Sequence, residues 1–600
     1  NYIGIINSDI SVKTQRDNKT FTFTSKGNNF RLREINIGAK NEIPVQVKSI
    51  DFDVKNYHSF TDDSLYEISF DSVSLTSDQL KLVNFGLAPG TLNNDKALRA
   101  VNIPSLTLKG LSLGDLIFDK TLKVDEAQLK NPAIIIEAKG SDENKIRKPL
   151  FDIFNDLEKY IDIEKLTIQN GDVQYRFSTG ENHVLNFQNV DASVFLTNLF
   201  GATHVSAVEA SIDRLSFSKA VYNNGLQKVL LTSGILDGNQ KNFSIAGLDY
   251  SDKNELMHLH ASGLLLSGVN IIDSADEENI NLDQLTWANG KVSSNPIPEN
   301  VLPEKAIMPI SIFVKNISLP NTDLQLNLPG RIHVNTFLHH LDIENFSKPN
   351  DAAIKFIKAF FDGGFFTMHA PGLSVSTDTF NINNLNTSFI KNISLQFISP
   401  KDSVLIKIPK LSGNPALTNF STIKSWDGFH LLNPDIQWFH QKDSSKKFAN
   451  KNVAATPIIL KNTSIASAKL RFQSYDKWDT LYTNASDASL YVKYASFNDT
   501  AELRGVSLSL NEMKFSSPQG VSLKAPQAKL SWQIDSLKFL PGSVFNIQNK
   551  LVQLSAPSIS IYNQAETILT QVSLEIPKMT LSDKNIQSWK DIVFHQTNTK

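Results

Sequence analysis

The residues best suited to metal chemistry are two pairs of histidines. His258 and His260, in MHLHAS, alternate with apolar residues, so on a strand they share a face and could begin a metal site. No third ligand follows from the sequence, and solvent-facing strand positions explain both. His339 and His340 are adjacent, so one strand directs them to opposite faces. We therefore predict no metal site.

The carboxylates and the possible nucleophiles of the sequence do not indicate a catalytic site either. Asp172 and Asp323 each follow a turn-like motif and fit hairpin positions. The acidic run 273–279 predicts a solvated loop, or a segment that discourages edge pairing with another chain. The chain has no cysteine, and it lacks the nucleophile elbow, the dinucleotide and phosphate loops and the H-E-x-x-H zinc motif. We expect no enzyme and no cofactor.

Composition narrows the class of partner. The net charge is −2 over 600 residues, so neither nucleic acid nor an anionic membrane surface is favoured. Hydrophobic residues make up 41% of the chain, with 37 Phe. The longest apolar run, 263–272, is too short to span a membrane, and no signal peptide is visible. The first residue is not Met, so we expect a processed or excised piece of a longer protein.

One short pattern recurs along the chain. Residues 161–177, IDIEKLTIQNGDVQYRF, alternate apolar and polar residues around Asn170-Gly171, which predicts a β-hairpin. Similar segments occur at 3–10, 122–134, 280–292, 312–324, 424–436, 458–470 and 547–559. Their predicted turn positions are Asn7, Asn131, Asn170, Asn289, Asn321, Asn433, Ser467 and Ala556.

The spacing of these copies indicates a larger repeat. Successive gaps are 124, 39, 119, 32, 112, 34 and 89 residues, so long and short gaps alternate and the copies come in pairs. A second marker, VNIPSLTLKGLSL (101–113), aligns without gaps with residues 259–271 and has relatives at 406–413 and 523–532. We predict one continuous array over 1–600, with approximate repeat units 1–170, 171–321, 322–467 and 468–600.

The predicted fold class is all-β. Further alternating segments between the markers give about five strands per unit, in an elongated array of curved antiparallel sheet. Two short connector helices are expected at 147–160 and 352–361, where apolar residues recur at helical spacing. Within 161–177, Ile163 and Leu166 have opposite parity. We therefore predict a bulge or sharp bend near 164–165, and at the equivalents 283–284 and 315–316.

The motifs together resemble the AsmA family of bacterial envelope proteins, which includes TamB-like members. The resemblance rests on the LTIxNGxV segments, on IPSLTLKGLSL (103–113), on NPAIII (131–136) and on residues 150–177. It implies a fold like that of the bridge-like lipid-transfer proteins, a repeating β-groove shaped like a gutter with an apolar floor. It also implies movement of phospholipid or another acyl lipid across the periplasm of a diderm bacterium. Membranes or membrane proteins would lie at the ends of the rod, and an inner-membrane anchor would be supplied by a segment absent from this chain.

Alternation alone leaves three ways to cover an apolar face: a second sheet, side chains filling a narrow solenoid, or a ligand. The first function we expect is a non-enzymatic lipid conduit supporting outer-membrane lipid homeostasis. The alternatives are a structural or adhesive β-rod with a closed core, and a periplasmic chaperone-like scaffold for outer-membrane proteins that pairs with client strands. If the groove exists, its predicted lining is Ile161, Ile163, Leu166, Ile168, Val173, Tyr175, Phe177, Ile280, Leu282, Leu285, Trp287, Val292, Ile312, Val314, Ile317, Leu319 and Leu324.

Overall fold

A computed structural model shows that the chain is all-β, as predicted. The structure describes residues 2–16, 19–37, 45–60, 66–76, 79–90, 98–111, 122–138, 161–177, 183–198, 209–252, 256–273, 278–295, 310–328, 331–348, 354–399, 402–419, 422–441, 458–475, 480–497, 501–516, 520–540, 544–576, 579–582, 586–589, 593–595 and 598–599. Two compact units divide the chain: unit 1 comprises Asn1–Asn289 and Ile307–Phe313, and unit 2 comprises Gly290–Ala306 and Val314–Lys600.

The strands that end before residue 289 belong to unit 1. They are β1 (Tyr2–Arg16), β2 (Lys19–Ile37), β3 (Val45–Phe60), β4 (Tyr66–Leu75), β5 (Gln79–Pro89), β6 (Leu98–Lys109), β7 (Leu122–Lys130), β8 (Ala133–Ala138), β9 (Ile161–Phe177), β10 (Val184–Phe195), β11 (Ile212–Asn223), β12 (Gln227–Asp237), β13 (Asn242–Asp252), β14 (Met257–Ser267), β15 (Asn270–Asp273) and β16 (Glu278–Thr286).

The strands from residue 289 onward lie in unit 2, except for the first residue of β17 and the first four residues of β18. They are β17 (Asn289–Ser294), β18 (Ile310–Ser318), β19 (Thr322–Leu328), β20 (Ile332–Lys348), β21 (Lys358–Ala370), β22 (Leu373–Thr377), β23 (Thr379–Asn383), β24 (Ser388–Ile398), β25 (Asp402–Asn419), β26 (Thr422–Leu432), β27 (Asp435–Gln441), β28 (Ile458–Tyr475), β29 (Thr480–Phe497), β30 (Ala501–Ser516), β31 (Ser522–Leu540), β32 (Val544–Asn563), β33 (Ala565–Ile576), β34 (Met579–Ser582), β35 (Ile586–Trp589), β36 (Val593–His595) and β37 (Asn598–Thr599).

Helix is scarce in the part of the chain that the structure describes. A 3-10 turn spans Leu196–Asn198, and residues 209–211 are helical. The predicted helix at 147–160 lies outside the described residues. The predicted helix at 352–361 is wrong where it is described, because Lys358 begins strand β21, and Ala359 and Phe360 pair with Ile343 and Asp342. None of the described helical residues belongs to a helix long and apolar enough to cross a membrane.

The hairpin prediction for 161–177 is also wrong. Residues Ile161–Phe177 form one strand, β9, and Asn170 lies inside it with φ of 54°. A two-residue hairpin of type I′ needs positive φ at both central residues. Gly171 does not have it, so the chain bends and continues instead of reversing. The other copies behave alike: β7 and β8 continue one another across Asn131, as β26 and β27 do across Asn433.

The short gaps between copies are registers of parallel strands. Strands β7 and β8 both lie parallel to β9, with Leu122 opposite Ile161 and Ala138 opposite Phe177, an offset of 39 residues. Within unit 2, β17 lies parallel to β19 at an offset of 32, since Gly290 faces Thr322. Strands β26 and β27 lie parallel to β28 at an offset of 34. The paired copies are therefore adjacent parallel strands, and the neighbouring described pairings, such as β9 with β10 and β28 with β29, are antiparallel.

Most long strands, and the junctions β7–β8, β18–β19 and β26–β27, carry a residue with positive φ, which we call a kink residue. In unit 1 these include Asn7, Gly27, Asn56, Asn84, Asn131, Asn170, Asn189, Ser233 and Gly263. In unit 2 they include Asn321, Asn392, Asn433, Ser467, Asp487, Glu512, Gln527 and Gln571. Of the 21 non-glycine residues with positive φ in the described part of the chain, 11 are Asn, the residue that tolerates this region best after glycine.

Neighbouring kink residues lie at the same level of the sheet. Gly171 faces Val190, so the kinks at Asn170 and Asn189 are adjacent, and the register between β9 and β10 shifts on both sides of that point. A shift of this kind inserts a residue, bends the strand and exchanges its faces. Within unit 2, Ala468 faces Ala488 between two register shifts, so the kinks at Ser467 and Asp487 are adjacent in the same way.

Candidate functional site

Apolar side chains of unit 1 form a continuous strip over many strands. A first cluster is built on Val54, Val73 and Leu82, and a second on buried residues that include Ile103, Val124 and Leu129. These two clusters share three members, Leu80, Phe85 and Leu106. A third cluster is built on Val190, Ala192, Phe217 and Ala220, and Ile168 joins it to the second. We call this set the unit 1 strip; it runs from β3 to β13.

Unit 2 carries a comparable strip. One cluster contains Ile393, Ile408, Leu411 and Trp426, and a second contains Val492, Ala495, Val506 and Ile534. Leu460 packs against both clusters and so connects them. We call these two clusters the unit 2 strip. A third cluster of this unit has small buried residues at its centre, among them Ala525, Ala528 and Ala556.

Several predicted lining residues of β9 lie in the unit 1 strip. Ile163, Leu166 and Ile168 pack against the second cluster, and Ile168 and Val173 against the third. Tyr175 is half-buried, and its burial raises the pKa of its hydroxyl. The side chains of Ile161 and Phe177 lie outside the described part of the chain.

The bulge or bend predicted at 164–165 stays a prediction, because β9 runs through these residues and its parallel register with β7 has no shift there. Ile163 and Leu166 have opposite parity, yet both pack against the same buried cluster, to which Val124 and Ala127 of β7 also belong.

The repeat mates show the same burial pattern. Val314 and Ile317 are 2% and 8% exposed, whereas Lys315 and Asn316 between them are exposed. Leu282 and Trp287 are buried as well, and the exposed pair Asp283-Gln284 lies between Leu282 and the half-buried Leu285. The remaining mates are half-buried: Ile280, Leu285, Val292, Ile312, Leu319 and Leu324. Val292 and Leu324 are direct neighbours on parallel strands.

Sequence reasoning missed most of the strip. Phe187, Val190 and Ala192 come from β10, a segment whose alternation predicted a strand but not a place in the lining. Phe217 and Ala220 come from β11, which carries no copy of the repeated motif. The signal that could have found β10 is its alternation, read with a change of parity at Asn189.

A row of tyrosines borders the unit 1 strip. Tyr175 faces Leu185, which faces Tyr222, and Tyr222 faces Val229, which faces Tyr250. Residues directly opposite one another share a face of the sheet. Burial raises the pKa of Tyr250, as it does for Tyr175. The row therefore combines ring surface with polar hydroxyl groups at one end of the strip.

His183 joins this row beside Tyr222. Its Nε2 lies 3.1 Å from the hydroxyl oxygen of Tyr222, and the two rings meet edge to face at 5.5 Å between centroids. Burial lowers the pKa of His183, because the charged imidazolium loses hydration there. The neutral imidazole is the form that this position favours.

Residues next in sequence to the strip carry charge. Lys109 Nζ lies 3.2 Å from a carboxylate oxygen of Glu126, and the Thr167 hydroxyl donates to the same carboxylate at 2.8 Å. A hydrogen bond from Gln128 is the main cause that lowers the pKa of Glu126; burial opposes it, and the bonds from Thr167 and Lys109 add to it. This network stays partly exposed to solvent, since the side chain of Lys109 keeps 45% of its accessible surface. One side of these strands is therefore apolar and the other is ionic.

The strips combine buried and half-buried side chains. The residues on which the clusters are built are 1–8% exposed. The side chains that pack around them, such as Ile163, Leu166 and Val173, are half-buried and keep accessible apolar surface, which an apolar ligand can contact.

The described residues show no constellation for metal chemistry. No three His, Cys, Asp or Glu side chains among them come together in a way that could hold an ion. His260 instead pairs with Asp249, at 2.5 Å between Nδ1 and a carboxylate oxygen.

No protein-family model matches this chain, and no curated protein sequence matches it.

Proposed function

We propose that the chain is a non-enzymatic lipid-transfer conduit, which binds the acyl chains of phospholipid along the apolar strips of its two units. The observation that carries the proposal is the strips themselves. They are continuous over many strands in each unit, and their half-buried members keep accessible apolar surface.

Energetics support a ligand. Leaving a Leu, Ile or Phe side chain in water costs about 1.5–3 kcal/mol relative to burial. The half-buried members of the strips therefore carry a free-energy cost that acyl chains would remove. Binding of this kind is distributed over many residues, so no single side chain is indispensable to it.

The row of tyrosines beside the unit 1 strip is suited to the polar headgroup of a phospholipid. The row of Tyr175, Tyr222 and Tyr250 places aromatic rings that carry hydroxyl groups beside the strip, a residue type that is enriched where apolar and wet regions meet. Acyl chains would lie on the strip with headgroups toward solvent, and lipid would slide from strand to strand.

The resemblance to AsmA-family proteins supports the cellular setting. It favours the periplasm of a diderm bacterium, phospholipid movement between the two membranes and a role in outer-membrane lipid homeostasis. Membranes or membrane proteins would be the partners at the ends. A closed structural rod is less favoured, because it would need a layer that covers the strips.

Native mass spectrometry of the purified chain tests the proposal directly. We expect phospholipid to remain bound after purification, and fluorescent phospholipid to move between donor and acceptor vesicles faster when the protein is present. A chain that retains no lipid and transfers none would leave the closed rod as the better explanation.

A further inference from the structure

Two phenylalanine rings lie directly over glycines of the neighbouring strand. In unit 1, Phe217 of β11 faces Gly234 of β12. A Cβ atom at position 234 would lie 2.1 Å from Cζ of Phe217 and 2.5 Å from its Cε1. Atoms do not approach that closely without displacement, so the ring occupies space that every other residue type would fill.

Unit 2 repeats the arrangement with different residues. Phe380 of β23 faces Gly363 of β21, and a Cβ atom there would lie 2.2 Å from Cζ of the ring. Trp426 lies against Gly413 in the same way, since a Cβ atom at position 413 would lie 2.1 Å from Nε1 of Trp426. We call each glycine with its overlying ring a glycine notch.

The backbone does not require glycine at the two phenylalanine notches. Gly234 and Gly363 are not among the glycines with positive φ, so both have backbone angles open to alanine. Space for the ring is therefore the only need that glycine meets there.

The glycine notches allow the rings of Phe217 and Phe380 to lie close to the backbone of the neighbouring strand, where they are buried. Phe217 is 4% exposed, and its ring centroid lies 5.4 Å from that of Phe187 and 6.2 Å from that of Phe243, two strands away on β13. Phe380 is 7% exposed, and it faces Ile390, which packs against the unit 2 strip. A ring lifted by a new methyl group would rise into the space above the strip.

We propose that Gly234 and Gly363 set the depth of the apolar floor and thereby the room for an acyl chain above it. This inference rests on the proposed lipid-binding function, and it makes the two glycines positioning residues that act through Phe217 and Phe380. An added methyl group at either position should cost lipid capacity without adding charge or changing backbone geometry.

The test uses Gly363→Ala in the full chain. Gly364→Ala is the matched control, because its Cβ would meet only the ring end of the exposed His339, at 3.1 Å. The double variant Gly363→Ala with Phe380→Leu should restore binding, since leucine lacks the ring atoms that the new methyl group meets. The measurement is the number of phospholipid molecules per chain by native mass spectrometry, after incubation with vesicles of phosphatidylethanolamine and phosphatidylglycerol.

For Gly363→Ala we expect bound lipid to fall by about twofold or more, because overpacking displaces side chains from a filled site. Gly364→Ala should match the wild type, and the double variant should recover. Melting temperatures of the same set provide a readout without lipid: Gly363→Ala should lower the melting temperature when Phe380 is present and much less when it is Leu.

Each outcome separates the two proposals. If the wild type binds lipid and folded Gly363→Ala binds as much, the notch inference is overturned and the conduit stands. If the wild type binds no lipid, the conduit itself is overturned, and the melting temperatures still decide whether Gly363 is needed to accommodate the Phe380 ring. Equal melting temperatures for Gly363→Ala and the wild type would contradict the steric basis of the notch.

Discussion

Asn131 and Asn170 lie side by side on parallel strands, and the Nδ2 of Asn170 donates to the Oδ1 of Asn131 over 2.8 Å. Both have left-handed backbones, with φ of 51° and 54°. On either side the ladder continues, since the Asn131 N–H donates to the Gln169 carbonyl and the Asp172 N–H to the Pro132 carbonyl. Two kinks are thus held together where the sequence suggested two separate turns.

Engineered disulfides distinguish this arrangement from hairpins. Gln128 faces Thr167 across the parallel strands, so Gln128→Cys with Thr167→Cys should form a disulfide on mild oxidation. A hairpin turning at Asn170-Gly171 would instead pair Thr167 with Gln174. In the single strand these two residues are seven positions apart, about 23 Å, and cannot be bridged.

The chain has no native cysteine, so the readout is simple. Non-reducing electrophoresis with mass mapping should show the 128–167 link and no link between Thr167→Cys and Gln174→Cys. The opposite result would restore the hairpin.

Substitutions at Asn170 test the kink residue. Asn170→Val places a β-branched side chain at positive φ, so we expect a loss of about 1–3 kcal/mol in local stability. Asn170→Gly can still adopt the left-handed backbone conformation and loses only the side-chain hydrogen bond to Asn131. We therefore expect a smaller loss of stability, about 0.5–1.5 kcal/mol. Hydrogen exchange of β9 and β10 reports both, and equal protection in the two variants would contradict the left-handed assignment.

The sequence predicted the strands and the pairing of motif copies because both depend on local pattern. Alternation around Ile168 and Val173 is visible in the sequence, and the 39-residue gap between Asn131 and Asn170 reappears as a parallel register. What local pattern does not contain is the conformation of the second residue of Asn-Gly. One left-handed residue bends a strand and two reverse it, and Gly171 is compatible with either.

The candidate site was predictable only where it coincides with the repeat. Ile163, Leu166, Ile168 and Val173 were predicted because the motif marks them, and they pack against the clusters of the unit 1 strip. Phe217 was not, since its place in the strip depends on Gly234 in another strand. The segment 352–361 had helical spacing, but pairing of Ala359 with Ile343 overrode it, which is a tertiary effect.

Acid should weaken the ionic side of unit 1 through Glu126. Its pKa is lowered in the folded state, chiefly by the hydrogen bond from Gln128, so the folded state favours the carboxylate. The stabilisation is fully present above the ordinary pKa of a free glutamate, about 4.3, and is lost as pH falls through the lower folded value. A partly exposed network of this kind contributes about 0.2–1 kcal/mol.

Glu126→Gln should remove that part of the acid dependence. We expect unfolding curves of the wild type and the variant to differ at neutral pH and to converge below pH of about 4. Glu164→Gln, at an exposed carboxylate on β9, is the control and should keep the wild-type pH profile. A constant difference between Glu126→Gln and wild type at all pH values would contradict the assigned role of the charge.

Ile168 offers the most direct test of the conduit, because it packs against both the second and the third cluster of the unit 1 strip. Ile168→Asp puts a carboxylate where acyl chains would lie, and desolvating an unpaired carboxylate is costly. In an open, lipid-lined strip the charge can remain hydrated when no lipid is bound. Lipid binding and transfer should then fall strongly while the chain stays folded.

Gln169→Asp is the matched control, since it adds the same charge one residue along the strand at an exposed position. It should leave binding and transfer unchanged. A photo-crosslinker at Ile168 should capture phospholipid, and one at the repeat mate Leu319 should do the same in unit 2. If neither position captures lipid and Ile168→Asp mainly unfolds the strand, the side chain belongs to a closed core, because only there does an added charge have no access to water.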